Sequence, residues 1–463
     1  MTTINNFNIS DLNTGQKEAF ELFKEFLTSR DCSMFCLRGY AGTGKTYLVK
    51  RLIKYIHTKY PGFKIAVTAP TNKAVKVLAK TSSIKDLRVT YQTVHKLLGL
   101  KEDIQNDGTI KFVKNNMESN DIDKFKILIV DEVSMLDDTL FTEIQSYSKR
   151  LKIIFMGDPA QIPPVNKTDC IPFNDEKKIF YDFREYTLTE IMRQSLDNPI
   201  IASSFLIRNN LTKRFPIEDI QTTLNEKGHG IVRINANNPE ERDSVMGLFE
   251  KYFKCPQFEN NPDYAKVIAW RNVTINKTNQ IIRGILYGPN PGKIMVGEKL
   301  VCNKPITDGL NIIMFNTNDE FSVEEFNIAT DLFDVDGSKT RLSYYDTKVL
   351  AIDLEGKEYK RMIKILHEDS LNDFAKVSKA LMENAKALKG AHRSWLKYYE
   401  FLREFADVGY NYAITAHKAQ GSTYKNVFII EDDIDYNSNI YERNRIKYTS
   451  YSRPTDMLYV LKR

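Results

Sequence analysis

The chain lacks long hydrophobic runs, has few cysteines, and carries little excess of either charge. No apolar stretch among its 463 residues approaches the roughly 20 residues needed to cross a bilayer. Its opening residues, Met1-Thr2-Thr3-Ile4-Asn5-Asn6, hold neither a basic cluster nor a hydrophobic block. No secretory signal is therefore expected, and the protein should stay in the cytoplasm of whatever cell makes it. Five cysteines (Cys32, Cys36, Cys170, Cys255, Cys302) are too few and too scattered for a disulfide framework or a zinc site. Cys32 and Cys36, at or beside a strand, read as reduced core residues. Repeats and low-complexity tracts are absent. With 66 Lys and Arg against 60 Asp and Glu, the net charge of +6 permits a polyanionic partner without requiring one. Hydrophobic content of 42% and charged content of 27% suit a globular protein, long enough for two or three domains.

The chemistry begins at Arg38-Gly39-Tyr40-Ala41-Gly42-Thr43-Gly44-Lys45-Thr46. An apolar strand, Met34–Leu37, precedes it, and the amphipathic run Tyr47–Ile53 follows. Strand, glycine-rich turn and helix form the context that makes G-x-x-x-x-G-K-[ST] a phosphate loop. Gly39, Gly42 and Gly44 let backbone N–H groups face anionic oxygens, and the helix N-terminus adds partial positive charge. Lys45 is placed to reach the β- and γ-phosphates and the Thr46 hydroxyl to bind Mg²⁺, with Ala41 and Thr43 completing the cradle. Upstream, Asn13 or Thr14 caps a helix carrying Gln16. An amide there suits adenine's donor–acceptor edge, and equally a solvated helix position.

Further along, Lys64–Ala69 is a buried strand ending in Pro70-Thr71-Asn72, and Arg88-Val89-Thr90 leads into Thr93-Val94-His95-Lys96. Residues 101–123 are polar and hold Asp107-Gly108 between alternating residues, a strong hairpin signal, with Phe112 on the returning arm. This hairpin should project as a small insertion. Ile127–Val130 is a strand ending in Asp131-Glu132, which places two carboxylates at the carboxyl edge of a parallel sheet. Asp131 suits Mg²⁺ held through water, and Glu132 suits the task of orienting or deprotonating a water. Ile153–Met156 repeats the layout and ends near Gln161, which can hydrogen-bond the γ-phosphate or the water; Arg193 follows at a strand-to-helix junction. Beyond Leu196-Asp197-Asn198-Pro199, strands at Ile231–Asn235 and Val267–Trp270 open a second α/β unit. Residues 293–354 carry the short alternating segments of a small β-barrel, and residues 356–404 read as a helical arm before strand character returns.

Together these segments resemble the superfamily 1 helicases. GYAGTGKT is similar to motif I, APTNKAVKVL to Ia, TVHKLLGL to Ib, DEVSM to II, GDPAQIPPV to III, LTEIMRQ to IV, YAITAHKAQGSTYKNV to V, and the region of Ser452-Arg453 to VI. Order and spacing over nearly the whole chain are most similar to the RecD-like branch, superfamily 1B, and within it to the phage Dda helicases. Two departures stand out: Asn72 where that branch often has His, and Pro454 directly after the motif VI arginine.

The resemblance implies an α/β fold with two RecA-like P-loop domains, a β-hairpin insert in the first, and an SH3-like β-barrel plus helical arm inserted in the second. The corresponding boundaries are 1–196 (hairpin about 100–123), 197–298 with 405–463, and 299–404. It implies ATP and Mg²⁺ as cofactors, with ATP between the domains and Arg193 and Arg453 compensating charge on the transferring phosphoryl group. Single-stranded and forked DNA would be met by Pro70, Thr71, Asn72, Thr93 and His95 from the first domain and by Thr415, His417, Lys418 and Gln420 from the second. Phe112 is the candidate wedge at the fork. The implied activity is 5′-to-3′ translocation and unwinding by a monomer, in phage replication or recombination, with a single-strand-binding or replisome protein as further partner. A P-loop motor that remodels protein–nucleic acid complexes without unwinding shares Lys45 and Asp131 but has no use for Thr415–Gln420.

Overall fold

The structure, a computed structural model, describes residues 9–82, 87, 89–114, 121–164, 167–191, 197–213, 220–308, 313–335, 338–353, 356–387 and 392–462. It divides into two compact units, one of residues 1–98, 119–278 and 413–463 and the other of residues 99–118 and 279–412.

The first 190 residues lay down eight strands: β1 (Met34–Gly39), β2 (Ile65–Ala69), β3 (Val89–Thr93), β4 (Leu100–Ile104), β5 (Ile110–Lys114), β6 (Ile127–Val130), β7 (Lys152–Gly157) and β8 (Phe183–Leu188). Six of them form a parallel sheet in the order β3-β2-β6-β7-β1-β8. Strands β2 and β6 are buried along their whole length, as expected when helices cover both faces of a parallel sheet. The helix Thr14–Thr28 turns Phe20, Phe23 and Phe26 into this core, and the Phe23 ring lies 4.4 Å from that of Phe35 on β1. Asn13 starts that helix with a capping box shared with Gln16.

The chain continues through β9 (Thr223–Leu224), β10 (Gly230–Asn235) and β11 (Ala265–Ala269). It then makes its excursion: β12 (Lys299–Cys302), β13 (Ile306–Thr307), β14 (Ile313–Phe315), β15 (Glu320–Val335), β16 (Ser338–Ile352), β17 (Glu358–Leu366) and β18 (Val408–Tyr410). It returns as β19 (Ala413–Thr415), β20 (Tyr424–Ile430) and β21 (Pro454–Lys462). The second sheet runs β19-β11-β20-β21-β10-β9, parallel except for the β10–β9 pair. Its first five strands, taken in chain order, occupy the same places as β1, β2, β3, β6 and β7 of the first sheet. The first unit therefore holds two lobes wound alike. They differ where it matters for phosphate: β10 leads into the helix Pro239–Phe253 through Asn238, whose side chain caps that helix by accepting from the Glu240 N–H (3.1 Å).

The second unit is built on an antiparallel sheet in the order β17-β16-β15-β12-β18, with β15 and β16 forming one long hairpin. Leu300, Cys302, Phe321, Val323, Val349, Ile363 and Ile365 fill its core. The helices Leu371–Ala387 and His392–Arg403 pack Leu381 and Phe401 on Leu342, Tyr344 and Leu366. Two expectations need correction. The start of the supposed helical arm is strand β17, because Ile363 and Ile365, two residues apart, face the core and make period two outweigh helix-forming lysines. The Asp107-Gly108 hairpin, β4 with β5, does not stand alone: Ile104 is buried with Ala385 and Trp395 of the two helices. Gly108, at φ +82°, lies so close to the Trp395 indole that a Cβ would sit 2.6 Å from it. The Tyr399 hydroxyl donates to the Gly108 carbonyl (2.7 Å), and Arg403 pairs with Glu102 (2.9 Å).

A buried carboxylate ties the second lobe together. Asp433 accepts from the Trp270 and Arg271 N–H groups (2.8 and 2.7 Å), from Arg271 Nε (2.6 Å) and from the Thr274 hydroxyl (2.5 Å), at the start of the helix Asn272–Tyr287. Burial pushes its carboxyl up, but the bonds from Thr274, Arg271 and Trp270 outweigh this and leave it below the usual range. A depressed folded pKa gives stability that is complete above the unfolded value of about 3.9 and is lost as pH falls through the folded one. Asp433→Asn should therefore lose about 2–3 kcal/mol at pH 7, and thermal unfolding should show the gap to wild type closing as pH is lowered through and below 4.

Candidate nucleotide site and nucleic-acid interface

The loop between β1 and the helix Lys45–Lys59 curls through two left-handed residues, Gly42 (φ 81°) and Gly44 (φ 78°). At Gly39 the constraint is space, since a Cβ would lie 2.8 Å from Thr43 Oγ1 and 2.9 Å from Lys45 Cγ. The buried Thr43 hydroxyl donates to the Tyr40 carbonyl (2.8 Å), and Lys45 Nζ donates to the carbonyls of Gly39 (2.7 Å) and Tyr40 (3.2 Å). Thr46 is the second residue of the helix. Gln16 is not a solvated helix residue: it is fully buried, and its Nε2 donates to the Thr43 carbonyl (3.0 Å).

Asp131 and Glu132 follow β6 in the same lobe. Glu132 is held in a left-handed conformation (φ 52°), which is costly for a residue with a side chain, and its N–H donates to Asp131 Oδ1 (2.8 Å). Burial, and then the Glu132 carboxylate beside it, push the Asp131 carboxyl up to about 7. Burial also pushes Glu132 up, against the opposing pull of the Arg453 and Lys45 cations. A carboxylate and a threonine hydroxyl are hard oxygen donors of the kind Mg²⁺ takes, with phosphates and waters as its other ligands. Among the described residues no cluster of three His, Cys, Asp or Glu forms a self-contained metal cage.

Second-lobe side chains reach this centre. With its amide nitrogen toward Glu132, Gln161 donates to Glu132 Oε2 (3.2 Å) and accepts from Arg453 Nη2 (3.3 Å). Arg453, buried, also donates to the carbonyls of Thr449 (2.9 Å) and Ser422 (3.0 Å). Gly421 (φ +72°) packs directly on the first lobe: a Cβ would sit 3.0 Å from Ala74 Cβ and 3.6 Å from Glu132 Oε1. Gln420, expected at a nucleic-acid surface, is instead buried, with Nε2 donating to Ser134 Oγ (2.9 Å) and the Ile162 carbonyl (3.3 Å). Its amide turns inward to Ser134 and Ile162 and not to the exterior, which corrects the sequence reading. Arg193 lies outside the described residues.

The other nucleic-acid candidates gather at the carboxyl ends of matching edge strands. Thr93 ends β3 and caps a one-turn helix by accepting from the Lys96 N–H (3.3 Å); Thr415 ends β19 and accepts from the Lys418 N–H (3.3 Å). Each is followed two residues later by a histidine, His95 or His417, whose pKa burial pushes down, so both imidazoles are neutral at pH 7. Neighbouring β2 is followed by Pro70-Thr71 and then by a helix starting at Asn72. Its counterpart β11 ends in Trp270-Arg271 before a helix starting at Asn272. That pair escaped sequence reasoning; the one available signal was Ala-x-x-Asn at two strand ends. Tyr448 and Arg208 were also missed. The Tyr448 hydroxyl accepts from the Ala41 N–H (3.2 Å) and donates to buried Asp158, and the Arg208 guanidinium lies on the Tyr40 ring. Phe112, half exposed, sits on β5 opposite Glu102, in the second unit.

A phosphate loop, two acids at a strand end, and a second like-wound lobe that lends an arginine define a two-lobed P-loop ATPase. A family model described as an AAA domain matches residues 11–229. The chain is 28% identical to the ATP-dependent DNA helicase Dda of Enterobacteria phage T4, over 97% of this chain and 99% of that protein. It is 27% identical to an uncharacterized protein of Acanthamoeba polyphaga mimivirus, over 96% and 99%. The solved Pif1 helicase from Candida albicans aligns with a TM-score of 0.48 at 17% identity, covering 98% of this chain and 95% of that one. These likenesses support a superfamily 1B helicase close to Dda.

Because Gly39 has no room for a side chain, Gly39→Ala should displace Thr43 and Lys45. Titration with a fluorescent ATP analogue should show affinity reduced about tenfold or more, while the unfolding midpoint stays within a few degrees of wild type.

Proposed function

We propose that this protein is an ATP-dependent DNA helicase that moves 5′-to-3′ on single-stranded DNA and opens forked duplex. The observation that supports this reading best is the meeting of second-lobe Arg453 and Gln420 with first-lobe Glu132, Gln161 and Ser134. The hydrolytic residues are complete only when both lobes contribute. In this reading residues 1–196 form one RecA-like domain, residues 197–298 and 405–463 the other, and residues 299–404 an SH3-like insertion with its helical arm. The protein works as a monomer, in phage replication or recombination, with a single-strand-binding or replisome protein beside it. Among the described residues no helix is long and apolar enough to cross a membrane.

The chemistry assigns each residue a step. The phosphate loop and Lys45 hold the β- and γ-phosphates, and Gln16 fixes the loop from beneath through Thr43. Thr46 and Asp131 would hold Mg²⁺, which when bound neutralises charge on the phosphates. Gln161 orients a water against the γ-phosphorus; as the new P–O bond forms, the bond to the β–γ bridging oxygen breaks, ADP leaves, and the water's proton passes to Glu132. Glu132 must be ionised to accept it, and burial opposes that. Arg453 and Lys45 are the cations that favour the ionised form, so arrival of the second lobe both compensates transition-state charge and readies the base.

DNA would lie across the two matching strand ends, with Pro70, Thr71, Asn72, Thr93 and His95 on one lobe and Thr415, His417 and Lys418 on the other. Trp270 and Arg271 occupy the place equivalent to Pro70 and Thr71 and join that interface. Short polar groups and neutral imidazoles suit phosphates and sugars, so sequence preference should be weak.

ATPase assays with and without single-stranded DNA test the reading: hydrolysis should rise on adding DNA. Lys45→Ala should lose binding and turnover, Glu132→Gln turnover alone, and Arg453→Ala about 10³-fold in kcat. Turnover indifferent to DNA would favour the remodelling motor.

The hairpin gives a separate test. Phe112 presents a ring that can stack on the terminal base pair for about 1–3 kcal/mol, against roughly 1.4 kcal/mol per base-pair step. Trp395 braces the hairpin tip from behind. Phe112→Ala and Trp395→Ala should each leave DNA-stimulated ATPase nearly intact while unwinding of a 5′-tailed duplex drops sharply; parallel loss of both activities would remove the hairpin from strand separation.

A further inference from the structure

The helix Ile440–Tyr451 is buried all round from Asn444 to Tyr451, although most of those residues are polar. Burying so many polar groups costs free energy unless each finds a partner. Asn444 Nδ2 donates to the carbonyls of Asn210, Leu211 and Lys213, all in its own lobe (3.2, 3.0 and 2.8 Å). Lys447 pairs with Glu431 and Asp435, also in its own lobe. Arg445 does something different.

Its guanidinium, 1% exposed, crosses to the first lobe and takes the loop after β7. Nε donates to the Gln161 carbonyl (2.6 Å), Nη1 to the Thr168 carbonyl (2.6 Å) and Asp169 Oδ1 (2.8 Å), and Nη2 to the Pro159 carbonyl (2.9 Å). Thr449 adds its hydroxyl as acceptor for the Ile162 N–H (3.2 Å). Residues 158–164 have no helix or strand to fix their backbone. The Ala160 and Gln161 N–H groups turn back to Asp158 (2.9 and 3.2 Å). The remaining grip comes from the other lobe, and Gln161, whose amide stands between Glu132 and Arg453, is held through its carbonyl.

We infer that Arg445 is a positioning residue for hydrolysis: it holds the main chain at Gln161 so that the Gln161 side chain meets Glu132 and Arg453. Only a planar fork can serve three carbonyls and a carboxylate at once, so Lys is a poor substitute despite its charge. This rests on the helicase reading above and adds a residue to it.

A double-mutant cycle on Arg445→Lys and Gln161→Ala tests the inference, with DNA-stimulated ATPase of the full chain as readout. Displacement of an orienting group by about 1 Å costs on the order of 10²-fold. Arg445→Lys should therefore lower kcat by tens of fold while the KM for ATP moves less than about threefold. In the Gln161→Ala background the same change should alter kcat less than about twofold, because the group it positions is gone. A merely structural role gives effects that multiply, and that result overturns the inference, as does a single variant with near-wild-type kcat. Should Arg445→Lys fail to fold, Thr449→Val removes one grip on the same loop and is held to the same cycle, with smaller factors. Wild-type protein showing no DNA-stimulated hydrolysis would overturn the helicase reading itself; an active wild type with multiplicative effects overturns only the role of Arg445.

Discussion

The site depends on a main-chain segment that does not determine its shape by itself. Residues 158–162 follow a buried strand and then have no ladder or helical turn to enter. Backbone groups left in that state must be satisfied from elsewhere. Asp158 takes the Ala160 and Gln161 N–H groups, and the other partners are Arg445, Thr449 and Gln420 from the second lobe, whose Tyr448 also holds the Asp158 carboxylate. The first lobe supplies the loop, the phosphate cradle and the acids, and the second lobe makes them a working geometry. Separating the lobes would cost more than an arginine; it would release the backbone that aims Gln161.

What the sequence made legible and what it hid follow from this division. Local rules were enough for the phosphate loop, since Gly42 and Gly44 need left-handed backbone and the flanking strand and helix are strongly periodic. They were enough for Asp131-Glu132, because an apolar strand ending in acids is itself a local pattern. They failed at Gln420, which sits among residues that look like a surface motif yet turns inward to Ser134. They also gave no hint of Arg445 or Tyr448, because a polar residue on a helix reads as solvated until its partners, more than 270 positions away in sequence, are known. Gln16 was undecidable for the same reason: its partner Thr43 lies in another element. The hairpin turn was plain from Asp107-Gly108, but not the wall it leans on, since Trp395 is almost 300 residues further along.

That wall changes what the hairpin is. A two-stranded ribbon alone is marginally stable in water. This one is anchored at its tip by an indole that admits only glycine and by burial of Ile104, and along its edge by an ion pair. A rigid ribbon can bear load along its length, whereas a loose one would bend before it transmitted force.

The two lobes are wound alike, yet they cannot be assembled alike. Strand β11 has β19 as its parallel neighbour, and residues 270–412 come between them in the chain. At about 5–20 residues per second, β19 leaves the ribosome roughly seven to thirty seconds after β11. The first lobe closes early; the second waits with β11, a strand buried along its whole length in the finished fold, unpaired until the excursion has been made. The order of synthesis thus gives this molecule a vulnerable interval that falls entirely on one half of its nucleotide cleft.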